Sequence, residues 1–263
     1  MTHAASHKRV NDTVLGPLER PALQWLATRM PAWVTPDHLT FLGVIGGIIV
    51  AVSFALTAIS PAYLWLASFG VFLNWFGDSL DGTLARYRHI ERPRYGFFVD
   101  HIVDSFVETL IFLGIGFSPY VRLEFAEMAL IAYLSMTIYV FLYTYVSDVF
   151  KISYGKLGPT EARALLILAN MLIFFVGNPV VNLPVSIGPM NLYDLFVLVV
   201  TVILFYIFFS QSYMTARRLS AEDREAARLK KKQEKASKQI ARPSRKSRKA
   251  AKQTGIVPGK LIE

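Results

Sequence analysis

The chain has 263 residues, 53% of them hydrophobic and 18% charged, with a mean hydropathy of +0.39. Soluble domains carry about 45–50% apolar and about 25% charged residues, so this composition excludes a disordered protein and argues against a large soluble enzyme. It leaves an all-α, polytopic membrane bundle. The absence of cysteine excludes disulfides, thiol catalysis, iron–sulfur clusters and cysteine-bound zinc. The formal net charge of +9 is confined to one end. From Arg217 onward there are 16 Lys/Arg and 5 Asp/Glu, whereas the rest holds 12 and 14. The body is therefore slightly acidic, and no nucleic-acid partner needs invoking.

Residues 1–16 are polar, and no apolar run follows Lys8 and Arg9, so no cleaved signal peptide is expected. Residues 19–30 can form an amphipathic helix. Pro21 suits its first turn, and Ala22, Leu26 and Met30 share a face with Leu23. With Trp25 and Trp33 nearby it reads either as a helix lying in the membrane interface or as a short cap packed on the bundle.

A membrane helix needs about 20 mostly apolar residues. Six segments qualify: 39–59, 61–81, 97–117, 126–149, 161–181 and 193–214. Tyr95, Tyr120, Tyr193 and Tyr213 fall near their ends, as in an interfacial aromatic belt. Basic residues set the orientation. Arg88, Arg92, Arg94, Lys151, Lys156 and the tail lie on one side with the N-terminus, and Arg122 alone lies on the other. Both termini are thus expected in the cytoplasm. The expected organisation is a cytoplasmic N-terminal segment (1–32), a six-helix transmembrane catalytic domain (33–216) and a basic, largely disordered cytoplasmic tail (217–263). The start of the tail can extend the last helix, and its charge suits anionic lipid.

The stretch from Asp78 to Asp104 is the informative one. Asp78 and Asp81 are three apart and share a helix face. Asp100 and Asp104 are four apart, roughly 6 Å along the next helix. Glu108 continues that stripe one turn deeper. The short connection brings both pairs to one depth, near the cytoplasmic headgroups. A close carboxylate pair costs roughly 4 kcal/mol at about 4 Å with an effective dielectric near 20. A charge at a membrane-helix centre costs about 2.5–3.5 kcal/mol more. Oxygen-only ligands suit Mg²⁺ or Mn²⁺, and two such ions balance four carboxylates. Paired ions are a standard device for in-line displacement at phosphorus. Gly82 and Ala85 keep the face beside Asp81 small, Arg86 offers a fork for phosphate, and Gly96 opens the facing helix one turn before Asp100. The alternation of small residues, acids and arginine points to a nucleotide diphosphate site.

These residues match a family. Asp78-x2-Asp81-Gly82-x2-Ala85-Arg86 followed by Gly96-x3-Asp100-x3-Asp104 resembles the signature of the CDP-alcohol phosphotransferases. The likeness covers about residues 33–214. Thr35-Pro36-Asp37 before the first span is similar to the family's Thr-Pro-Asn entry, with Asp37 in place of Asn. The resemblance implies a metal-dependent membrane enzyme, as a homodimer, that displaces CMP from a CDP-linked alcohol with a second alcohol, one of the two being a lipid. It implies that Asp78, Asp81, Asp100 and Asp104 surround the ions and that Asp104 is the base. Asp81, Gly82, Ala85, Arg86 and Gly96 would border the cytidine and diphosphate.

His101 follows Asp100, and Gly158-Pro159-Thr160-Glu161 opens the fifth span. Both features are similar to choline/ethanolamine phosphotransferases, where a His–Glu pair activates the acceptor hydroxyl. The likeness makes His101 and Glu161 a candidate base and its orienting partner, against the plainer reading of each as an interfacial or capping residue. Arg163 is expected to pair with Glu161 or an anionic lipid, and Glu108, Asp148 and Asp194 are read as structural. Two rivals share the acidic chemistry. An aspartate-rich prenyltransferase is expected to have separated acidic motifs and more spans. A cation transporter is expected to place its site at midplane between repeats.

Overall fold

The computed structural model describes residues 13–147, 158–181 and 190–240. They form seven helices: α1 (Gly16–Arg29), α2 (Pro36–Leu56), α3 (Tyr63–Tyr87), α4 (Pro93–Gly116), α5 (Leu123–Ser147), α6 (Pro159–Val176) and α7 (Leu192–Ile240). A two-residue antiparallel pair, β1 (Val180–Val181) and β2 (Met190–Asn191), joins the last two. The chain divides into compact units Met1–Ser210 and Gln211–Glu263, the boundary falling within α7.

Four helices, α2, α5, α6 and α7, are both long and apolar enough to cross a membrane. With 25 and 24 residues, α3 and α4 have the length. Their composition is interrupted by Asn74, Asp78 and Asp81 on one and by Asp100, Asp104 and Glu108 on the other. The expected fifth span stops early: α6 ends at Val176, and Gly177 turns the chain with φ +78°, a left-handed value that favours glycine. Conversely, α7 continues well past residue 214, carrying the first 24 residues of the basic tail as helix. Within the second unit Arg218 pairs with Glu222 one turn on, at 3.5 Å.

The organising helix is α2, which packs on both α3 and α4. Thr35 caps its start: the Oγ accepts from the His38 N–H at 3.3 Å and His38 Nδ1 accepts from the Thr35 N–H at 3.3 Å, with Pro36 in the first turn. Its glycines set the spacing. A Cβ on Gly46 would lie 2.5 Å from the Asn74 nitrogen of α3. A Cβ on Gly47 would lie 2.6 Å from Val107 of α4. Small residues permit this backbone approach, which is how membrane helices gain packing where apolar burial offers little. Asn74 then donates to the Gly43 carbonyl at 3.0 Å, satisfying a buried amide.

The N-terminal helix packs on α3 and buries Leu23 and Ala27 against Leu39, Leu80 and Leu84. Pro17, not Pro21, occupies the first turn, and Pro21 lies inside the helix. Ala22 is exposed and Glu19 joins the inner face instead.

Candidate active site

The site lies where α3 and α4 approach their shared turn. Asp78 comes from α3, and Asp100 and Asp104 stand one turn apart on α4. One carboxylate oxygen from each lies within 4.8 Å of the other two, and all three residues are partly buried. Like charges so close need a counter-charge. The protein supplies one in Arg163 of α6, whose Nη2 lies 2.7 Å from Asp78 Oδ2. The expectation that Arg163 pairs with Glu161 is corrected: residues two apart on a helix point to different faces. Arg163 instead shares a stripe with Thr160, Ala164 and Ile167 that turns toward α3.

Asp81, three residues on from Asp78 along α3, has hydrogen-bond partners of its own. Its carboxylate accepts from Thr40 Oγ1 at 2.5 Å and from the Gly82 N–H, which aims it at α2. One turn below Asp104, Glu108 accepts from the Tyr133 hydroxyl of α5. It therefore ties α4 to α5 below the acid cluster, as a structural residue would.

Among the small residues, Gly96 is open: nothing lies within 4 Å of the position a Cβ would take. Gly82 is covered by the Arg86 guanidinium, 3.2 Å from such a Cβ, and Ala85 is half-buried. Arg86 donates to Thr83 Oγ1 at 3.1 Å. It lines a polar cavity of about 400 Å³ with Arg20, Asp78, Ser79, Thr83 and Arg163.

His101 and Glu161 lie in different settings. The His101 ring packs against Phe97 (centroids 4.3 Å apart) and meets Phe141 edge-on (5.0 Å), and Nδ1–H donates to the Phe97 carbonyl at 2.6 Å. In a neutral ring this tautomer leaves the lone pair on Nε2. Nδ1 is 4.0 Å from Asp100 Oδ2. Glu161 is buried and accepts from the Leu15 N–H at 2.7 Å and the Gly158 N–H at 2.9 Å. It caps α6 and fastens the chain before α1, so the plainer reading describes its carboxylate. Asp194 likewise caps, accepting from the Arg122 and Asn191 N–H groups at 2.8 and 3.2 Å. Asp148 lies outside the described residues.

Two contributors escaped the sequence reading. Glu19 accepts from Trp75 Nε1 at 2.7 Å, Ser79 Oγ at 3.2 Å and Thr160 Oγ1 at 2.7 Å, knitting α1, α3 and α6 around the cavity. Arg88 donates to the carbonyls of Met30 (3.0 Å), Pro31 (2.8 Å) and Val34 (2.5 Å), binding the α1–α2 connection to the end of α3. The sequence signal for Glu19 was its four-residue spacing from Leu23; Arg88 gave none.

The described acid cluster fits a divalent ion. Its ligand atoms are all carboxylate oxygens within 4.8 Å of one another, the oxygen-only set that a hard divalent ion takes. The sequence profile of the CDP-alcohol phosphatidyltransferase family matches residues 33–209. Phosphatidylinositol phosphate synthase of Cutibacterium acnes is 40% identical over 87 residues, 32% of this chain and 39% of that protein. Human cholinephosphotransferase 1 is 29% identical over 174 residues, 61% of this chain and 42% of that protein. The chain spans about two fifths of the length of these curated relatives. Taken with its apolar helices, the match over residues 33–209 makes the chain an integral membrane protein of the CDP-alcohol phosphatidyltransferase family.

Proposed function

We propose that this protein synthesises a phospholipid by transferring a phosphate-linked group from a CDP-alcohol to a hydroxyl acceptor, releasing CMP. The observation that carries the reading is the meeting of Asp78, Asp100 and Asp104 beside Arg163 at a polar cavity, within the segment that matches the family. The acceptor oxygen attacks the phosphorus bearing the transferred group. The bond from that phosphorus to the CMP oxygen breaks, and the acceptor's proton passes to a base of the site. Asp104 is that base or, through Nε2, His101 is. Arg86 holds the diphosphate, and Asp81, Gly82, Ala85 and Gly96 border the nucleotide. Mg²⁺ or Mn²⁺, as two ions, would be held by Asp78, Asp81, Asp100 and Asp104 and would supply positive charge for the diphosphate. The chemistry is positioning plus electrostatics, as in other phosphoryl transfers. The architecture we propose around it has six spans, cytoplasmic termini, a homodimeric assembly and a basic tail drawn to anionic lipid.

The test is CMP release by the detergent-solubilised protein, with and without Mg²⁺ or Mn²⁺, over a panel of CDP-alcohols and acceptors. Asp78→Ala, Asp81→Ala, Asp100→Ala and Asp104→Ala should each abolish turnover while the protein still inserts, because groups serving one cluster act as a unit. Undiminished activity in EDTA, or in two of these variants, would refute the metal assignment.

A further inference from the structure

Among the arginine–carboxylate pairs of the described residues, Arg163 with Asp78 differs from the others in burial. Their side chains are 18% and 22% exposed, against 51% and 50% for Arg92 with Asp37, 46% and 67% for Arg122 with Glu124, and 49% and 61% for Arg218 with Glu222. Exposed pairs contribute little, whereas a charge withdrawn from water acts strongly on its neighbours. The pair is also braced from behind. Thr160, one turn before Arg163 on α6, donates to Glu19 Oε1 at 2.7 Å. Ser79, next to Asp78 on α3, donates to the same oxygen at 3.2 Å, and Trp75 Nε1, one turn earlier, at 2.7 Å. One carboxylate of α1 thus fastens the turns that carry both partners. Glu19 precedes residue 33, where the family match begins, so this bracing comes from outside the matched segment.

Arg163 touches one of three carboxylates whose oxygens lie within 4.8 Å of one another. A guanidinium there cancels one of the cluster's three negative charges and repels any further cation. It is a poor choice if the cluster's only task is to grip an ion tightly. It suits a site in which the ion must keep positive charge for a phosphate. We infer that Arg163 is a counter-ion that holds down the site's affinity for divalent metal and reserves the metal's charge for the diphosphate. The assignment rests on the metal site under Proposed function and adds the residue that sets its affinity. Three carboxylates alone would neutralise more of an ion's charge and hold it tighter. With Arg163 in place the filled site presents one more positive charge to an anion. Coupling between two ligands is reciprocal, so whatever the ion adds to nucleotide affinity the nucleotide adds to ion affinity. Arg163 acts through its charge and forms no bond to the transferred phosphorus.

The test reads Mn²⁺ and CMP binding, without turnover, on the full-length protein in phosphatidylcholine nanodiscs, whose lipid carries no net charge to attract Mn²⁺. Free Mn²⁺ is counted by electron paramagnetic resonance. Arg163→Gln and Arg163→Met remove the charge, and Arg163→Lys keeps it without the planar fork. All are prepared with Mn²⁺ present, so that a variant that needs the ion to fold is still measured. Removing the charge should tighten Mn²⁺ binding by about tenfold or more, the lower end of what an opposite charge at this range does to a carboxylate's proton affinity. It should weaken CMP binding at saturating Mn²⁺ by about tenfold, the scale of one charged hydrogen-bonding group. Arg163→Lys should stay within about threefold of wild type in both. A role in packing alone moves both affinities downward together, since a disordered cluster holds neither ligand. Mn²⁺ binding that is weaker or unchanged in both the Gln and Met variants overturns the assignment, and so does an Arg163→Lys variant that behaves like them. Opposite shifts in a protein that never releases CMP from a CDP-alcohol would sink the proposed reaction and leave the Arg163 assignment standing. Mn²⁺-dependent CMP release by the wild type, with charge-removed variants that bind Mn²⁺ no tighter, would do the reverse. Failure of every form to bind Mn²⁺ overturns both.

Discussion

His101 and Glu161 show how much a side chain's neighbours constrain its chemistry. A general base needs a lone pair, and the ring of His101, packed on Phe97 and Phe141 with Nδ1–H on a carbonyl, carries that pair on Nε2 when neutral. Glu161 spends its carboxylate on two backbone N–H groups. If His101 takes the acceptor's proton, His101→Ala lowers kcat by about 10²–10⁴-fold with little change in affinity for the CDP-substrate. Glu161→Ala removes a cap and should lower the Tm, by about 0.5–2 kcal/mol of stability, while its pH–rate profile stays that of the wild type. A His101→Ala variant within a few-fold of wild type returns the base to Asp104. A Glu161→Ala variant with unchanged Tm but a displaced pH profile would restore Glu161 as the partner of His101. The sequence made the acidic stripe legible because three- and four-residue spacings on neighbouring helices force the carboxylates together. It could not reveal the partner of Arg163, which comes from a helix about 80 residues distant. The two-residue offset from Glu161 did already argue that those two side chains face apart.

At the scale of the helices, identical glycines serve opposite ends. Gly46 is a contact between backbones, with no room for a Cβ against Asn74, whereas Gly96 faces open space. The same change to alanine therefore separates stability from binding. Gly46→Ala pushes α2 from α3, and since α2 braces both acid-bearing helices, thermal stability and Mn²⁺ affinity should fall together, by about 1–3 kcal/mol for the overpacking. Gly96→Ala should leave the Tm unchanged or slightly raised, because alanine is the better helix former by up to about 1 kcal/mol. It should raise KM for the CDP-substrate, because the added methyl narrows the face proposed to border the nucleotide. A destabilised Gly96→Ala with normal KM would remove that residue from the site. Helix positions were legible from apolar run length, but their ends were set by local chemistry. Pro17 takes the first turn of α1 and leaves Pro21 inside it, and Gly177 stops α6 five residues short of the expected end.

Across the whole molecule the open question is how often the chain crosses. Length and composition mark four helices, while α3 and α4 carry the polar residues that make the site and lose apolar character in doing so. The two counts differ only in whether α3 and α4 cross as a pair. Their shared turn, with Arg88, Arg92 and Arg94 nearby, is therefore the position to probe, since basic loops favour the cytoplasmic side. The cysteine-free sequence makes the measurement clean. Single cysteines at Ser60, Glu91, Arg122 and Ser237 can be probed in intact cells with a membrane-impermeant maleimide, then again after permeabilisation. Six spans with cytoplasmic termini require Ser60→Cys and Arg122→Cys to label from outside, and Glu91→Cys and Ser237→Cys only after permeabilisation. The critical position is Glu91. Labelling there from outside, with Ser60→Cys also labelled from outside, would mean that α3 and α4 do not cross. It would also place the Asp78–Asp100–Asp104 cluster on the side opposite the basic tail, away from a cytoplasmic supply of CDP-linked substrate.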